Sequence, residues 1–247
     1  MLLELRGVGQ TFGNLIALHP TDLGIRAGEV VALLGDNGAG KSTLASILTG
    51  FHPPRTGQLF FDGQPVRLSS PQQARALGIE AVYQHLALVP LLSIARNFFL
   101  GRELVRRWGP VSLLDQAGMR RQTQVALADI GIQIRDPSEA VERLSGGERQ
   151  AIAIGRAVHF GSRLLVLDEP TSALSLGETL KVLGYIRQAK ARGLAVLFIT
   201  HNLHHVYEVA DRIVVLSHGQ KVGDFPRAQL SMDQAALLVM EGTLPSP

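Results

Sequence analysis

Short apolar runs alternate with stretches of helical spacing along most of the chain. The runs Val30–Leu34 and Ala195–Thr200 are apolar over nearly their whole length, and Arg163–Glu169 contains a continuous apolar run that ends in two acids. Such runs are typical of strands buried on both faces of a parallel sheet. Glu178–Lys190 is predicted to form a helix, and Gly193 follows as a stop signal. The pattern therefore predicts an α/β fold built around a parallel sheet.

Shorter patterns predict further elements around these runs. Turn-forming pairs such as Gly13-Asn14 and Asp62-Gly63 separate candidate strands. Ser70 and Gln73 form the Ser-x-x-Gln pattern of a helix capping box, and Gly78 marks the end of that helix. The remaining predicted elements are the strands Leu2–Val8, Leu15–Leu18, Gln58–Phe61, Ile79–Tyr83, Ile213–Leu216 and Lys221–Asp224, and a helix Arg227–Gly242 before a frayed Pro-Ser-Pro end.

Residues 86–143 change character, because their pattern predicts helices and no strand. Apolar positions in Leu91–Leu100 and Leu113–Ile130 have helical spacing, and Gly131 follows as a helix stop. Five arginines of this region are expected to lie on a solvated helix face: Arg102, Arg106, Arg107, Arg120 and Arg121. We interpret the region as a helical lobe inserted into an α/β core.

The composition limits the class of protein. A chain of 247 residues with 46% hydrophobic and 18% charged residues is expected to be globular, with one large domain or one domain carrying an inserted lobe. The net charge of +3 gives no bulk signal for binding a polyanion. Cysteine is absent, which excludes disulfides and thiolate metal sites. The N-terminus lacks the apolar core of a signal peptide, and no apolar run approaches the roughly 20 residues that span a bilayer, so we expect a chain that is soluble by itself.

A glycine-rich segment follows the first buried strand and precedes a helical pattern. Gly35–Ser42 matches G-x-x-x-x-G-K-[ST], in which backbone N–H groups and the positive end of the next helix face a phosphate. In such a loop Lys41 reaches the β- and γ-phosphates, and the Ser42 hydroxyl binds Mg²⁺. The alternative is a strand-to-helix turn without a ligand, but strand, motif and helix occur in the required order. The segment therefore predicts binding of ATP or GTP.

Two acidic residues end the second buried run. Asp168 and Glu169 lie where that strand finishes, and ligands bind at the carboxyl ends of strands in open α/β sheets. Downstream of a phosphate loop, Asp168 is predicted to hold Mg²⁺ through water and Glu169 to orient or deprotonate an attacking water. By themselves, two such acids often mark only a solvated loop.

The segment Leu144–Gln150, LSGGERQ, allows two interpretations. Ser145 and Glu148 form a capping box that starts a helix over Arg149–His159. Two glycines, however, weaken a first helical turn, and they are better explained by a backbone that approaches a ligand closely. The segment is therefore a candidate ligand-binding element as well as a helix start.

Together these motifs resemble the ATP-binding subunit of an ABC transporter, over almost the whole chain. The most specific match is Leu144–Gln150, which is similar to the LSGGQ-type signature and lies about 100 residues after the phosphate loop. The resemblance implies an α/β fold with a P-loop NTPase (RecA-like) core, an antiparallel β subdomain and an inserted helical subdomain. It implies a single domain 1–247, with the core and β subdomain over 1–85 and 150–247 and the helical subdomain over 86–149.

The resemblance also implies a role for each matching residue. Phe12 fits the aromatic residue that stacks on adenine, Gln84 fits the Q-loop glutamine, and His201 fits the histidine that touches the γ-phosphate. The expected catalytic residues are Glu169 and His201. The expected ATP-binding residues are Phe12, Gly35, Asp36, Asn37, Gly38, Ala39, Gly40, Lys41, Ser42, Thr43, Gln84, Ser145, Gly146 and Gly147, and the expected Mg²⁺ ligands are Ser42, Gln84 and Asp168.

A mechanism and a set of partners follow from the same resemblance. Two copies are expected to face head to tail, with ATP held between the phosphate loop of one and Ser145-Gly146-Gly147 of the other. Closing and opening of that dimer would drive transmembrane permease subunits. The expected partners are therefore a permease, a second copy or a paralogue, and indirectly a substrate-binding protein, but no nucleic acid. The expected location is peripheral, at the cytoplasmic face of the inner (cell) membrane.

Finer features resemble the sugar-importer branch of the family. The similar segments are Asp36-Asn37, Asn97–Glu103, Ala173-Leu174-Ser175 and Thr200–Leu203. Members of that branch take up ribose, fructose, xylose, galactose and similar monosaccharides, and this chain is similar to its single-domain members. One position departs from the family: Ser175 stands where an Asp is usual in the D-loop, which puts communication between the two ATP sites in question.

Three other classes share the phosphate loop. An ABC ATPase of DNA repair or chromosome maintenance would carry a long coiled-coil insertion before the signature, and the insertion here is short and lacks heptads. A ribosome-associated ABC factor would carry two ATPase domains with a charged linker. A GTP-binding regulatory protein would leave the signature unexplained.

Overall fold

The computed structural model describes residues 1–134 and 136–244. Within these ranges no helix has the length and apolar character needed to cross a membrane. The predicted frayed Pro-Ser-Pro end lies outside the described residues. The chain divides into two compact units, one of residues 1–81, 162–170 and 189–247 and the other of residues 82–161 and 171–188.

The secondary structure alternates strands and helices as the apolar pattern predicts. The strands are β1 Leu3–Phe12, β2 Leu15–Ile25, β3 Val30–Leu34, β4 Thr56–Phe61, β5 Gln64–Val66, β6 Ile79–Val82, β7 Val105–Trp108, β8 Val111–Leu114, β9 Leu164–Asp168, β10 Ala195–Ile199, β11 Arg212–Ser217 and β12 Gln220–Pro226. The helices are α1 Lys41–Leu48, α2 Pro71–Ala76, α3 Ile94–Phe98, α4 Gln116–Asp129, α5 Gly146–His159, α6 Leu176–Ala191, α7 Leu203–Val209 and α8 Met232–Glu241. Short 3₁₀ turns occur at Val141–Arg143 and Arg227–Gln229.

A six-stranded sheet of order β12-β11-β3-β10-β9-β6 forms the centre of the first unit. β10 pairs in parallel with both β3 and β9, so the three strands end at the same edge of the sheet. β3 and β10 are buried at every residue, and β9 is buried up to Asp168. Continuous apolar runs are required here because both faces of the sheet are covered. The predicted parallel α/β core is confirmed.

A second, antiparallel sheet of order β2-β1-β4-β5 completes this unit. Its inward residues share one hydrophobic core with the central strands and with α1: the core includes Leu3, Leu5, Ile25, Leu44 and Val166. β1 and β2 are longer than predicted, because register shifts after Leu5 interrupt the regular alternation that a sequence pattern relies on. The predicted antiparallel β subdomain is confirmed.

The second unit is mainly helical. A core cluster joins α3, α4 and α5, and it includes Phe98, Phe99, Leu127 and Ile152. Gly155 lets α4 and α5 pack closely, because a Cβ at this position would collide with the Leu127 side chain. The unit also contains the helix portion 176–188, which lies outside the predicted helical lobe 86–149. That boundary stays a prediction.

The expectation that 86–143 contains no strand is wrong. β7 and β8 form a hairpin that pairs Val105 with Leu114 and Trp108 with Val111. All residues of both strands are exposed, so no buried face imposes an alternation of apolar and polar residues on the sequence. The alternation that marks a half-buried strand is therefore absent from both strands.

Two helices begin two or three residues earlier than predicted. α5 begins at Gly146 instead of Arg149, and α6 begins at Leu176 instead of Glu178. The box predicted at Ser70 is only half formed: the Ser70 hydroxyl accepts from Gln73 N, but the Gln73 amide oxygen accepts from Ser69 N at 2.9 Å. The tail helix is confined to α8, after the 3₁₀ turn Arg227–Gln229.

Candidate functional site

The predicted phosphate loop connects the buried end of β3 to the start of α1. Gly40, the N-cap residue, has φ 98° and supplies no side-chain cap, so the first N–H groups of the helix depend on other acceptors. Asp36, Asn37 and Gly38 are exposed, whereas Gly35 and Gly40 are buried. The loop thus exposes its middle while both its ends are fixed in the fold.

Packing requires glycine at both buried positions of this loop. A Cβ on Gly40 would lie 2.6 Å from the Ala17 carbonyl oxygen, and one on Gly35 would overlap the Leu216 carbonyl oxygen. The φ of 157° at Gly35 and of 98° at Gly40 also disfavour any side chain. These glycines therefore serve close packing of the loop as well as access of its backbone to a ligand.

Lys41 lies inside the loop. Its Nζ donates to the carbonyl oxygens of Gly35 at 2.8 Å and Asp36 at 3.0 Å, and the residue is only 8% exposed. Burial lowers the pKa of Lys41, while the carboxylates of Glu169, Asp168 and Asp36 act in the opposite direction. A cation held this way is available for an anionic ligand at the strand ends. Ser42, beside it, is exposed.

Asp168 is the last residue of β9, opposite Ile199 of β10. Burial raises the pKa of its carboxyl group above the usual value, the neighbouring Glu169 raises it further, and Lys41 lowers it. The ionised carboxylate is therefore held against an electrostatic cost. A nearby cation would relieve that cost, as the predicted role of Asp168 requires.

Glu169 occupies an unusual backbone conformation. It is a non-glycine residue at φ 49°, and its N–H donates to the Ile199 carbonyl oxygen at 2.9 Å. Its carboxylate accepts from the Thr200 hydroxyl at 3.2 Å and from the His201 N–H at 3.1 Å, and its Oε1 lies 2.8 Å from His201 Nδ1. The side chain of Glu169 is 15% exposed and that of His201 is 67% exposed. The predicted catalytic pair is thus brought into direct contact.

Phe12 lies at the end of β1, and its exposure of 45% makes the ring accessible. The ring contacts His52 edge-on, with ring centroids 5.6 Å apart. An exposed aromatic face in the first unit agrees with the predicted adenine contact, which stays a prediction.

The signature segment belongs to the second unit. Ser145 is the N-cap of α5, its hydroxyl accepts from Glu148 N, and Glu148 accepts in return from Ser145 N at 2.8 Å. The predicted capping box is therefore present. Gly146 and Gly147 form the first turn, and the Gly147 N–H donates to Glu178 Oε1 at 3.0 Å.

Gln84 also belongs to the second unit, where it is exposed after β6. It lines a cavity of about 330 Å³ together with Leu88, Pro90, Glu142 and Arg149, among others. The structure thus groups Lys41, Asp168, Glu169 and His201 in one unit, and places Gln84 and the signature residues in the other.

Two further residues contact the predicted site residues and were not predicted from the sequence. Thr200 is fully buried, and its hydroxyl both donates to Glu169 and accepts from Asn202 N at 3.1 Å. Glu178 accepts from the signature glycine Gly147. The Ser-x-x-Glu spacing of Ser175 and Glu178 is the signal that could have drawn attention to Glu178.

A glycine-rich loop between a buried strand and a helix, with carboxylates at the end of another parallel strand of the same sheet, defines the class of phosphate-loop nucleotide-binding proteins. The family model described as "ABC transporter" matches residues 18–172, which is more than half of the chain. The chain belongs to the ABC transporter family.

Curated relatives resemble the chain over most of its length. It is 49% identical to the xylose/arabinose import ATP-binding protein XylG of Sulfolobus acidocaldarius, over 89% of this chain and 86% of that protein. It is 43% identical to the fructose import ATP-binding protein FrcA of Rhizobium meliloti, over 90% and 86%. The ribose import ATP-binding protein RbsA 1 of Burkholderia cenocepacia is 41% identical over 97% of this chain, but only 46% of that protein is covered.

Solved structures share the fold at lower identity. The ADP conformation of an ATP-binding cassette of an ABC transporter matches with a TM-score of 0.81 and 22% identity, over 97% of this chain and 95% of that chain. A nucleotide-free ATP-binding cassette matches with a TM-score of 0.82 and 21% identity, over 99% of both chains. The predicted P-loop NTPase fold is confirmed.

Proposed function

We propose that the chain is the ATP-hydrolysing subunit of an ABC importer for a monosaccharide. The observation that carries this proposal is the contact between Glu169 and His201 at the sheet edge where the phosphate loop also begins. The family shown above supplies the transporter context, and the sugar class comes from the names of the relatives with 41–49% identity.

Lys41 and the loop N–H groups bind the phosphates of ATP in this proposal. The ammonium exchanges the Gly35 and Asp36 carbonyls for phosphate oxygens, which are stronger acceptors because they are charged. Phe12 provides an exposed aromatic face for adenine. The nucleotide is held at both ends by residues of the first unit.

Mg²⁺ fits the donor set of the same edge. Mg²⁺ prefers oxygen ligands, and it usually takes one or two carboxylates with substrate phosphates and water. The Asp168 carboxylate, whose pKa is raised by burial and by Glu169, and the exposed Ser42 hydroxyl provide such oxygens in the first unit. The ion, when bound, neutralises charge on the phosphates.

Glu169 acts on the attacking water. Its Oε1 is already directed by the His201 N–H and ring nitrogen, and its Oε2 by the Thr200 hydroxyl, so the carboxylate keeps one orientation at the strand end. The carboxylate orients the water and accepts its proton as the oxygen attacks the γ-phosphorus, and the bond from the γ-phosphorus to the β,γ-bridging oxygen breaks so that ADP leaves. His201, largely exposed, contacts the γ-phosphate.

A second copy of the chain completes each ATP site. Ser145, Gly146 and Gly147 lie at the N-terminus of the 14-residue helix α5, where N–H groups and the helix dipole favour a phosphate. We assign the Ser145 hydroxyl and the Gly146 N–H to the γ-phosphate bound by the partner copy, because the Gly147 N–H donates to Glu178. ATP then joins two chains, and hydrolysis lets them separate.

A permease binds the second unit. The cavity of about 330 Å³ is lined by apolar residues such as Leu86, Leu88 and Val141 and by the charges of Glu142 and Arg149, and it fits one end of an amphipathic helix. Because the permease is a membrane protein, the chain works peripherally at the cytoplasmic face of the membrane. A substrate-binding protein delivers the sugar to that permease.

Substitution of the catalytic carboxylate tests the proposal. Glu169→Gln keeps the size and the acceptor of the side chain but removes the base, so we expect ATP binding to persist and turnover to fall by roughly 100-fold or more. Gel filtration should then show an ATP-dependent dimer. Equal hydrolysis rates for the wild-type chain and the variant would contradict the assignment of Glu169.

Capture from membranes in mild detergent tests the transport context. The tagged chain should recover a multi-span permease, and Glu142→Lys, which reverses a charge of the cavity, should recover less of it. Glu241→Lys, at an exposed carboxylate of α8, is the matched control and should behave like the wild type. Recovery of ribosomes or DNA instead would remove the importer assignment.

A further inference from the structure

The Glu178 carboxylate accepts hydrogen bonds from two segments of the second unit. Its Oε1 accepts from Gly147 N at 3.0 Å, and its Oε2 accepts from Ser175 N at 3.0 Å and from the Ser175 hydroxyl at 2.8 Å. These donors hold the pKa of Glu178 at about 2, the Gly147 N–H first among them. The carboxylate is therefore ionised throughout the physiological range.

The sequence contains the same local pattern twice. Ser145-x-x-Glu148 caps α5, and Ser175-x-x-Glu178 caps α6, where Glu178 N donates back to the Ser175 hydroxyl at 3.4 Å. The two boxes differ in one respect: Glu178 also reaches across to the first turn of the other helix. One carboxylate thus joins two helix N-termini.

Close packing accompanies these hydrogen bonds. A Cβ on Gly147 would lie 2.7 Å from both Cβ and Cγ of Glu178, and a Cβ on Gly146 would lie 3.0 Å from Leu174. The two glycines therefore admit the Glu178 side chain and the Leu174 side chain beside them. Glycines in a first turn are otherwise the residues that hold a helix start least firmly.

We infer that Glu178 is a positioning residue of the ATP site: it fixes the signature glycines and the Ser175 segment in one arrangement that a phosphate on the partner copy can meet. The inference rests on the proposed function, because it assigns Ser145 and Gly146 to a γ-phosphate. Without Glu178 the glycine turn would have to be ordered when ATP arrives, and that ordering lowers affinity for the second copy. Binding of nucleotide by one chain alone does not involve this contact.

The contact with Glu178 also limits which side chains position 175 can carry. An acidic side chain at position 175 would bring a second carboxylate to the place where a hydroxyl now donates at 2.8 Å. Two like charges at that separation repel, so Ser175→Asp should release Glu178 from Gly147. Removing the Glu178 carboxylate from the Ser175→Asp chain should relieve the repulsion.

The test measures dimer formation and single-chain binding separately. In the Glu169→Gln background, Glu178→Ala should raise the ATP concentration that gives half-maximal dimer by about tenfold, while ADP binding by the monomer stays unchanged. Glu178→Gln retains an amide oxygen for Gly147 N and should recover part of the loss. Glu241→Ala, the exposed carboxylate of α8, should match the parent chain in both measurements.

Ser175→Asp provides a second, independent variant. It should weaken the dimer at least as much as Glu178→Ala does. In the double variant, the loss of dimer stability should be smaller than the sum of the losses in the two single variants. Additive effects, or a Glu178→Ala chain that folds and dimerises like its parent, would overturn the inference. The parent chain, in which Glu178 is intact, tests the proposed function separately. If that chain did not bind ATP or did not form an ATP-dependent dimer, the proposed function itself would be wrong.

Discussion

The phosphate-loop edge of the first unit and the signature segment of the second both combine glycines with a helix N-terminus, but different interactions hold them. α1 starts at Gly40 without a side-chain cap, and its loop is fixed by backbone packing against Ala17 and Leu216. α5 starts at Ser145 with a complete capping box and a further tie to Glu178. The first edge is positioned by buried strands, the second by polar side chains at the surface.

The difference determines where each segment is vulnerable. Buried strands hold the first edge through many apolar contacts, so single polar substitutions there should change ligand binding more than folding. In the second unit, individual polar side chains hold the signature segment in place through hydrogen bonds. Their removal should therefore change the conformation of that segment directly.

Lys41→Ala should give the largest effect, on nucleotide binding. The ammonium is the cation at the centre of the loop, and loss of one preorganised charged donor costs roughly 100-fold in binding or rate. Because burial lowers the pKa of Lys41, the side chain is held at some cost in the fold, so thermal stability should not fall. Lys181→Ala, at an exposed lysine of α6, is the control for loss of charge. Nucleotide binding measured by titration within threefold of wild type would refute this role of Lys41.

Asn97→Ala should give the largest loss of stability. Asn97 is fully buried, its Oδ1 accepts from Val89 N at 2.7 Å, and its Nδ2 donates to the carbonyl oxygens of Val89 and Leu92, both at 3.0 Å. Alanine leaves these backbone groups unpaired, so the free energy of unfolding in urea should fall by about 3 kcal/mol. Gln124→Ala, at an exposed amide of α4, should change it by less than about 0.5 kcal/mol. A similarly small change for Asn97→Ala would show that other contacts hold residues 89–92 in place.

Asp168→Asn should change stability in the opposite direction. The raised pKa of Asp168 means that the folded chain binds its proton more tightly than the unfolded chain, so stability falls as pH rises from about 3.8 through the folded pKa. An asparagine amide has no proton to release in this range, so the variant does not suffer this loss of stability. We expect the free energy of unfolding to rise by about 1 kcal/mol while Mg²⁺-dependent ATP hydrolysis is lost. At a pH below 3.8 the two chains should become equally stable, and a variant less stable at neutral pH would contradict the argument.

The sequence predicted the first region more completely than the second for a physical reason. The runs that form β3, β9 and β10 must be apolar because both faces are buried, so position along the chain reveals the strand and its end. Glu178 meets Gly147 across 31 residues, and only the fold brings them together. Thr200 was missed for the same reason, because its contact with Glu169 joins two strand ends. The roles assigned to these site residues stay predictions.

Ser145 and Ser42 each lie at the start of a helix, and alanine at these positions should change stability least. Ser145→Ala removes the cap of α5 and one half of its box, so the free energy of unfolding should fall by about 0.5 to 1 kcal/mol in urea titrations. Ser42 lies in the first turn of α1, whose N-cap residue is Gly40, and no side chain caps this helix. The Ser42→Ala variant should therefore show almost no change in the free energy of unfolding. Both serines are expected to contact nucleotide, the first across the dimer and the second through Mg²⁺, so both variants should slow ATP hydrolysis. Equal losses of stability for the two serines would mean that side-chain capping does not distinguish the two regions, and the contrast would then rest on Glu178 and Asn97 alone.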